Sequence, residues 1–328
     1  MTYMATRVSG FGTTVFTEMT ALANKHNAIN LGQGFPDFAA PDFLKEAARQ
    51  AIAADINQYA PGNGRSRLRQ ALSQKMQRHY GMTVDPDTEI TVLHGATEAI
   101  FATIIGLVNL GDEVILFEPF YDSYAPSTIM AGGVVRAYTL RPPDWQIDRE
   151  ALAALFTDKT KLIVVNTPHN PTGKVFSQAE LTMIAELCRE HDVIAVTDEV
   201  YEHLVYNGRS HHPLATFPDM AERTVTISSL GKTFSATGWK VGWTIAKPEL
   251  NQADIREFGF PDDVAFCRYL TTEVGVAAIP PGAFYANPAD GASLARFAFC
   301  KSDATLEEAA KRLQKLKKSI HTAIITPL

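Results

Sequence analysis

The sequence predicts an α/β protein in which a mostly parallel β-sheet forms the core of a large domain. Three observations lead to this prediction. β-Rich runs alternate with amphipathic stretches, polar residues follow several of these runs directly, and the pattern changes after Pro248. Alternating strands and helices are typical of a parallel sheet, because each return to the same edge of the sheet needs a crossover.

Runs rich in β-branched and apolar residues predict six strands. They are VILF (114–117), VVRAYTL (134–140), KLIVV (161–165), VIAVT (193–197), TVTIS (224–228) and WTIA (243–246). Amphipathic stretches predict helices at 97–108, 121–131, 148–157 and 177–191, and an earlier helical pattern occupies residues 12–30. The part after Pro248 predicts a helix (262–274), the strands VAAIP and ARFAFC, and a final helix (304–317).

These patterns divide the chain into three parts. Residues 1–35 form an N-terminal segment associated with a small domain, residues 36–249 form the large domain, and residues 250–328 form the C-terminal small domain. Two clear strands in about 75 residues bury little apolar surface. We therefore expect the last part to depend on the large domain, the N-terminal segment or a second subunit.

Composition excludes several classes of function. The chain has 328 residues, of which 46% are hydrophobic and 20% charged, as in soluble globular proteins. A net charge of -6 gives no general attraction to nucleic acid or to anionic membranes. The N-terminus lacks a signal pattern, and the apolar runs are too short to span a bilayer. Three scattered cysteines without metal spacing indicate reduced thiols, so we expect a cytoplasmic protein without a metal site.

The segment SSLGKTFSATGWKVGW (228–243) contains the most informative lysine of the chain. Lys232 follows the predicted strand TVTIS in a loop rich in hydroxyl groups and glycine. A lysine that attacks a carbonyl must be neutral, and burial or a neighbouring cation lowers its pKa. Ser229 and Lys240 on either side would hold a phosphate group. The segment predicts a Schiff-base lysine for pyridoxal 5'-phosphate (PLP), and a solvated surface lysine is the alternative.

Two further strand exits carry polar residues, and ligands of parallel sheets lie at the carboxyl ends of strands. Asp198 follows VIAVT and would pair with a cation such as a protonated pyridine nitrogen, unless it caps a helix. Asn170 in HNPTGK would donate its amide to the ring's phenolate oxygen, although a turn explains it as well. Tyr201 either presents its phenol to the same ring or lies in the core. Glu199 is interpreted as solvated or structural.

Other candidates lie at the start of an apolar helix and near the C-terminus. The helix in HGATEAIF begins with residues whose backbone N–H groups favour a phosphate, unless they only cap the helix: Gly95, Ala96 and Thr97. Tyr121 follows VILF and either stacks on a flat ring or packs in the core. Arg296 in ARFAF needs a partner, which is a substrate carboxylate or an ordinary salt bridge.

Taken in order, several motifs resemble those of one family. HGATEAI, EPFYDSY, HNPTGK, TDEVYEHL, SSLGKTFSATGWKVGW and ARFAF are similar to the motifs of a class I aminotransferase of PLP fold type I. LGQGFPDF, NQYAPGNG and GKTFSATGWK resemble the kynurenine, glutamine and methionine transaminase branch. The resemblance implies a PLP enzyme that moves an amino group from an aromatic or sulfur-containing L-amino acid to a 2-oxo acid.

The resemblance also implies roles for residues around the cofactor ring. Lys232 would bind PLP covalently and carry a proton at the substrate Cα. Asp198 would pair with the ring nitrogen, Asn170 and Tyr201 would bind the phenolate oxygen, and Tyr121 would stack on the ring. These roles are expectations that come from the family and not from the spacing of the residues.

Further implied roles concern the phosphate, the substrate and a partner subunit. The residues expected to hold the phosphate are Gly95, Ala96, Thr97, Ser229 and Lys240. Tyr59 would reach the phosphate of a neighbouring subunit, so the resemblance implies a homodimer. The backbone at Gly34 and the guanidinium of Arg296 would bind the substrate carboxylate.

One departure from the family lies near residue 250. The family continues after the strand matching VGWTIAKPEL into a long helix, whereas here Leu250 is followed by NQADIREFGFPDD, which resembles small-domain sequence. We expect roughly sixty residues to be absent at this point. PLP capture should then survive better than turnover. A PLP-dependent carbon–sulfur lyase and a catalytically impaired PLP-binding remnant are the alternatives.

Overall fold

The computed structural model describes residues 5–12, 15–32, 34, 36, 38–251, 271, 275, 277, 304–305 and 307–313. The chain divides into two compact units, Met1–Ile255 and Arg256–Leu328. In the second unit, residues 304–305 and 307–313 are helical, in agreement with the start of the predicted last helix. The other elements predicted after Pro248 lie almost entirely outside the described residues, and the proposed domain boundaries stay predictions.

A seven-stranded sheet forms the centre of the first unit, with the strand order β1-β7-β6-β5-β4-β2-β3. The strands are β1 Ile90–Leu93, β2 Glu113–Glu118, β3 Val134–Thr139, β4 Thr160–Asn166, β5 Ile194–Asp198, β6 Thr224–Ser229 and β7 Gly242–Ile245. Five neighbouring strands from β3 to β6 run parallel, and β7 is antiparallel to both of its neighbours. The predicted mostly parallel sheet is confirmed, and β1 is one strand that the sequence pattern missed.

Helices connect the strands and cover the sheet. They are α1 Val15–His26, α2 Asp42–Ala53, α3 Ser66–Tyr80, α4 Ala96–Leu107, α5 Tyr124–Met130, α6 Arg149–Ala153, α7 Gln178–Glu190, α8 Leu230–Thr233 and α9 Pro248–Asn251. The four predicted crossover helices correspond to α4, α5, α6 and α7. Within the part of the chain that the structure describes, no helix has the length and apolarity needed to span a bilayer.

Local chemistry explains where two of the longer helices begin and end. At the start of α7, the Ser177 hydroxyl accepts the Glu180 N–H and the Glu180 carboxylate accepts the Ser177 N–H, which satisfies two helix-end donors. At the end of α3, Gly81 has a φ of 68°. Glycine adopts this left-handed conformation without a Cβ penalty, so the helix stops there.

Apolar side chains lie on both faces of the sheet. Along β4, Ile163 and Val165 belong to one buried cluster, whereas Leu162 and Val164 belong to another. Burial on both faces explains why residues 162–165 (LIVV) are all apolar, because a central parallel strand has no face in water. The two packed layers hold the central strands, and with them the polar residues at the strand exits.

Candidate active site

Three neighbouring strands bring the predicted site residues to one edge of the sheet. Asp198 is paired in register with Asn166 of β4 and with Ile227 of β6. The carboxyl ends of β4, β5 and β6 therefore lie side by side. Asn170 follows the first of these ends and Lys232 follows the last, so the polar residues after all three strands share this edge.

Asp198 is buried at the exit of β5. Its Oδ2 accepts a hydrogen bond from the Tyr124 hydroxyl at 2.7 Å, and its Oδ1 accepts the Val200 N–H at 3.3 Å. Burial raises the pKa of this carboxyl to about 6, against the opposing effect of the bond from Tyr124. A turn and not a helix follows it. Asp198 is thus a carboxylate that gains from a nearby cation.

Lys232 lies on the short helix α8 and is half-buried. Its Nζ donates to the Gly34 carbonyl at 2.6 Å and lies 5.5 Å from the centre of the Tyr201 ring. Burial lowers the pKa of the amine, while the negative charge of Asp198 acts in the opposite direction. The alternative of a solvated surface lysine is therefore wrong, and the lowered pKa favours the neutral form that attacks carbonyls.

A small cup forms where helix α4 begins next to strand β7. Gly95 has a φ of 84° and precedes the helix. A Cβ on Gly95 would lie 3.1 Å from the Lys240 Nζ, and a Cβ on Gly242 would lie 2.7 Å from the Ala96 nitrogen. Ser229 is buried and pairs with Gly242 across the strands. The cup thus combines a helix N-terminus, a hydroxyl group and an ammonium group, which suits a phosphate.

Two tyrosines and the HNPTGK turn lie near Asp198. Burial raises the pKa of the Tyr121 phenol, against the opposing effect of the neighbouring Thr97 side chain. Burial, with a further contribution from the Asp198 charge, raises the pKa of Tyr201 to about 12. The Asn170 N–H donates to Asn166 Oδ1 at 2.7 Å, which anchors the HNPTGK turn beside the strand exit.

The three remaining predicted residues are Tyr59, Gly34 and Arg296. The Tyr59 side chain is fully exposed. Gly34 reaches the site through its carbonyl oxygen, which accepts from Lys232 and is not a donor to a carboxylate. Arg296 lies outside the described residues.

The sequence patterns missed two contacts of the carboxylates. Tyr124, the partner of Asp198, lies three residues after Tyr121 in EPFYDSY, and this helical spacing was the available signal. Of the two interpretations of Glu199, solvated or structural, the structure agrees with the second, because its side chain is buried and pairs with His211 at 2.9 Å. No local pattern relates these two residues, since a long loop separates them.

The residues of the site fit PLP. The cup suits its phosphate, the buried carboxylate suits its ring nitrogen, and a half-buried amine of lowered pKa suits its aldehyde. The sequence pattern described as "Aminotransferase class I and II" matches residues 26–257. The chain belongs to this family. The family is PLP-dependent, so the cofactor expected from the sequence is confirmed, as is the aminotransferase fold.

Three relatives illustrate the similarity of this aminotransferase to known proteins. A probable N-succinyldiaminopimelate aminotransferase of Mycobacterium tuberculosis is 40% identical over 94% of this chain and 98% of its own. Human kynurenine–oxoglutarate transaminase 1 is 45% identical over 74% of this chain and 60% of its own. A solved structure of an Escherichia coli protein with methionine aminotransferase function is 36% identical, covers 96% of this chain and 100% of its own, and has a TM-score of 0.75.

The alignment with the mycobacterial relative also bears on chain length. It extends over 388 positions, whereas this chain has 328 residues. The relative therefore has residues at positions where this aminotransferase has none. The location of the gap near residue 250 stays a prediction.

Proposed function

We propose that this aminotransferase moves the amino group of an aromatic or sulfur-containing L-amino acid to a 2-oxo acid, with Lys232 as its catalytic lysine. The observation that carries the assignment is the position of the Lys232 Nζ. This amine has a lowered pKa, lies 5.5 Å from the Tyr201 ring, and interacts with the buried Asp198. A second amine with these neighbours is not found among the residues that the structure describes.

Four residues have separate roles in the proposed reaction: Lys232, Asp198, Tyr201 and Asn170. Lys232 would hold PLP covalently and, once displaced by the substrate amine, would carry the proton between the substrate Cα and C4' of the cofactor. When bound, PLP supplies the electron sink that stabilises the charge left at Cα. Asp198 favours this chemistry because its negative charge holds a proton on the ring nitrogen. The Lys232 amine lies over the Tyr201 ring. Tyr201 and Asn170 together orient the side of the cofactor ring that carries the phenolate oxygen.

The remaining residues are proposed to hold the cofactor in place. Gly95, Ala96, Thr97, Ser229 and Lys240 bind the phosphate, because helix N–H groups, a hydroxyl group and a cation surround one small cup. Tyr121, which is next to Thr97, would cover the ring. The backbone N–H of Gly34, and not its carbonyl oxygen, is proposed to bind the substrate carboxylate together with the guanidinium of Arg296.

The names of the relatives support two substrate classes. Methionine and kynurenine enzymes among them favour a sulfur-containing or an aromatic donor. The mycobacterial relative favours a longer donor, N-succinyldiaminopimelate, as a second candidate. The lyase alternative is not favoured, because these relatives are all named as aminotransferases.

We further propose a cytoplasmic homodimer. The fully exposed Tyr59 supports this assembly, since a tyrosine that contacts a partner's phosphate has no reason to be buried in its own chain. Size-exclusion chromatography with light scattering would test the dimer. A monomer that still binds PLP with full affinity would contradict the role of Tyr59.

The central experiment combines trapping with a half-reaction. Borohydride reduction of the PLP-loaded protein and peptide mapping should place a pyridoxyl group on Lys232, and Lys232→Ala should lose it. Methionine, kynurenine and N-succinyldiaminopimelate are then added in turn, and loss of the visible PLP absorbance identifies the donor. Lys159→Ala, a substitution at an exposed lysine, serves as the control. A tag on another peptide would overturn the assignment.

A further inference from the structure

A second carboxylate is buried directly beside Asp198. Glu199 and His211 have side chains that are 2% and 3% exposed, and Glu199 Oε2 lies 2.9 Å from His211 Nε2. Both remaining polar atoms of the pair, Glu199 Oε1 and His211 Nδ1, are buried without a partner among the described residues. Within the described residues, the contact between Glu199 and His211 is therefore the one polar contact that either side chain makes.

The surroundings of His211 contain several other titratable groups. The Tyr80 ring lies edge-on to the imidazole at 6.0 Å. The Tyr80 hydroxyl donates to Glu202 at 2.5 Å, and Lys75 is paired with the same carboxylate. His203 lies near Glu202 and is electrostatically coupled to His211. Lys75 is the cation paired with Glu202, and His211 is the basic group in contact with Glu199.

Charge balance explains why this pair matters. Two consecutive buried carboxylates that are both ionised repel each other strongly, since water does not screen them. A proton shared by Glu199 and His211 makes their pair neutral, whichever of the two atoms carries it. The net negative charge at this strand exit then belongs to Asp198 alone. Burial is the larger cause of the raised pKa of Asp198, and the charge of Glu199 raises this pKa further. Without the imidazole, Glu199 has no basic partner to offset this charge.

We propose that His211 is a positioning residue that keeps Glu199 neutralised, so that Asp198 is the one net charge available to the cofactor's ring nitrogen. This inference rests on the proposed function, because Asp198 is assigned there as the partner of that nitrogen. His211 would thus affect the cofactor without contacting it or the substrate, because it controls the net charge of the Glu199 side chain.

The test is a double-mutant cycle read out by PLP affinity. The Kd of PLP is measured by absorbance titration of cofactor-free wild type, His211→Asn, Glu199→Gln and the double variant. His211→Asn should weaken PLP about 10-fold. The double variant should return to within about threefold of wild type, because a neutral glutamine needs no proton. A role in packing alone would not be rescued by removal of a charge.

A neighbouring histidine provides the control. His212→Asn makes the same substitution one residue further along, at a side chain that lines a separate surface cavity. It should leave the Kd unchanged. The melting temperature of the cofactor-free proteins gives a second readout, in which His211→Asn should lower the midpoint and the added Glu199→Gln should restore it.

The outcomes separate the inference from the proposed function. If wild type carries a Lys232 tag but His211→Asn binds PLP as wild type does, the inference fails alone. Equal losses in His211→Asn and in the double variant also overturn it. If His211→Asn does not fold while the double variant does, charge neutralisation is supported. Absence of the Lys232 tag in wild type overturns both proposals.

Discussion

The two sides of the candidate site are built differently. On the sheet side, Asp198 and Ser229 are buried at the ends of paired strands. On the loop side, between α1 and α3, Leu31 is 91% and Tyr59 102% exposed. Two side-chain hydrogen bonds join the sides within the described residues, from Lys232 to the Gly34 carbonyl and from Ser235 to the Phe38 carbonyl, each at 2.6 Å.

This difference separates cofactor binding from substrate binding. The sheet side has the packing and the hydrogen bonds that fix groups for PLP. The loop side presents large apolar residues to solvent, which is typical of a surface that a further part of the protein or a second subunit covers. We therefore expect substitutions on the sheet side to change the stability and PLP affinity of the single chain. Substitutions on the loop side should instead affect its association with a further part of the protein or with a second subunit.

The largest expected effect comes from Lys232. Lys232→Ala should reduce turnover by about 10³-fold or more, because it removes both the covalent attachment and the base. Steady-state assays with the donor identified by the half-reaction measure the loss. Lys159→Ala should keep wild-type activity. Turnover by Lys232→Ala within about tenfold of wild type would place the catalytic amine elsewhere.

A pair of truncations tests the structural contrast. Ile163→Ala, at a fully buried side chain of strand β4, should lower the free energy of unfolding by about 2–5 kcal/mol, since it leaves a cavity between packed layers. Leu31→Ala should change it by less than about 0.5 kcal/mol in the monomer, because the side chain is exposed. Urea unfolding of the cofactor-free proteins gives both values. Similar decreases in the free energy of unfolding for the two variants would contradict this difference between the sheet side and the loop side.

The buried Asp198 predicts a dependence of stability on pH. Its pKa in the folded protein is raised from 3.8 to about 6. The resulting stabilisation is complete below the lower pKa and is lost as the pH rises through the higher one. This loss is about 2–3 kcal/mol for a shift of this size.

Asp198→Asn removes that titration from the cofactor-free protein. Its stability relative to wild type should increase between pH 4 and pH 7.5, as measured by urea unfolding at both pH values. With PLP bound, the order at pH 7.5 should reverse, because the variant lacks the charge that pairs with the ring nitrogen. A difference that does not change with pH would show that the carboxyl titrates normally.

The smallest effect is expected at the phosphate cup. Lys240→Ala should weaken PLP about tenfold, because one of several phosphate contacts is lost while the helix N-terminus remains. Absorbance titration measures the Kd, and Lys247→Ala, at a lysine paired with Glu89, is the control. An unchanged Kd would remove Lys240 from the proposed cup.

Much of the fold follows from local patterns. The run KLIVV predicted a strand of a mostly parallel sheet, and it lies in β4, where each residue except Lys161 is buried. The predicted parallel arrangement is also confirmed from β3 to β6. The sequence did not predict that β7 runs antiparallel to its neighbours, because the direction of a strand depends on the connection that precedes it. Helices α2 and α3 were not identified separately, because the early part of the chain was assigned from its motifs.

The sequence by itself determined the residue types of the site and their order, since a lysine, an aspartate and a glycine-led helix follow particular strands. The tertiary structure alone decided their environment. Burial sets the pKa of Asp198, Tyr124 supplies its hydrogen bond, and His211 meets Glu199 across a loop. The physical reason is that solvation and electrostatic pairing depend on distances between residues far apart in the chain, which no local pattern encodes.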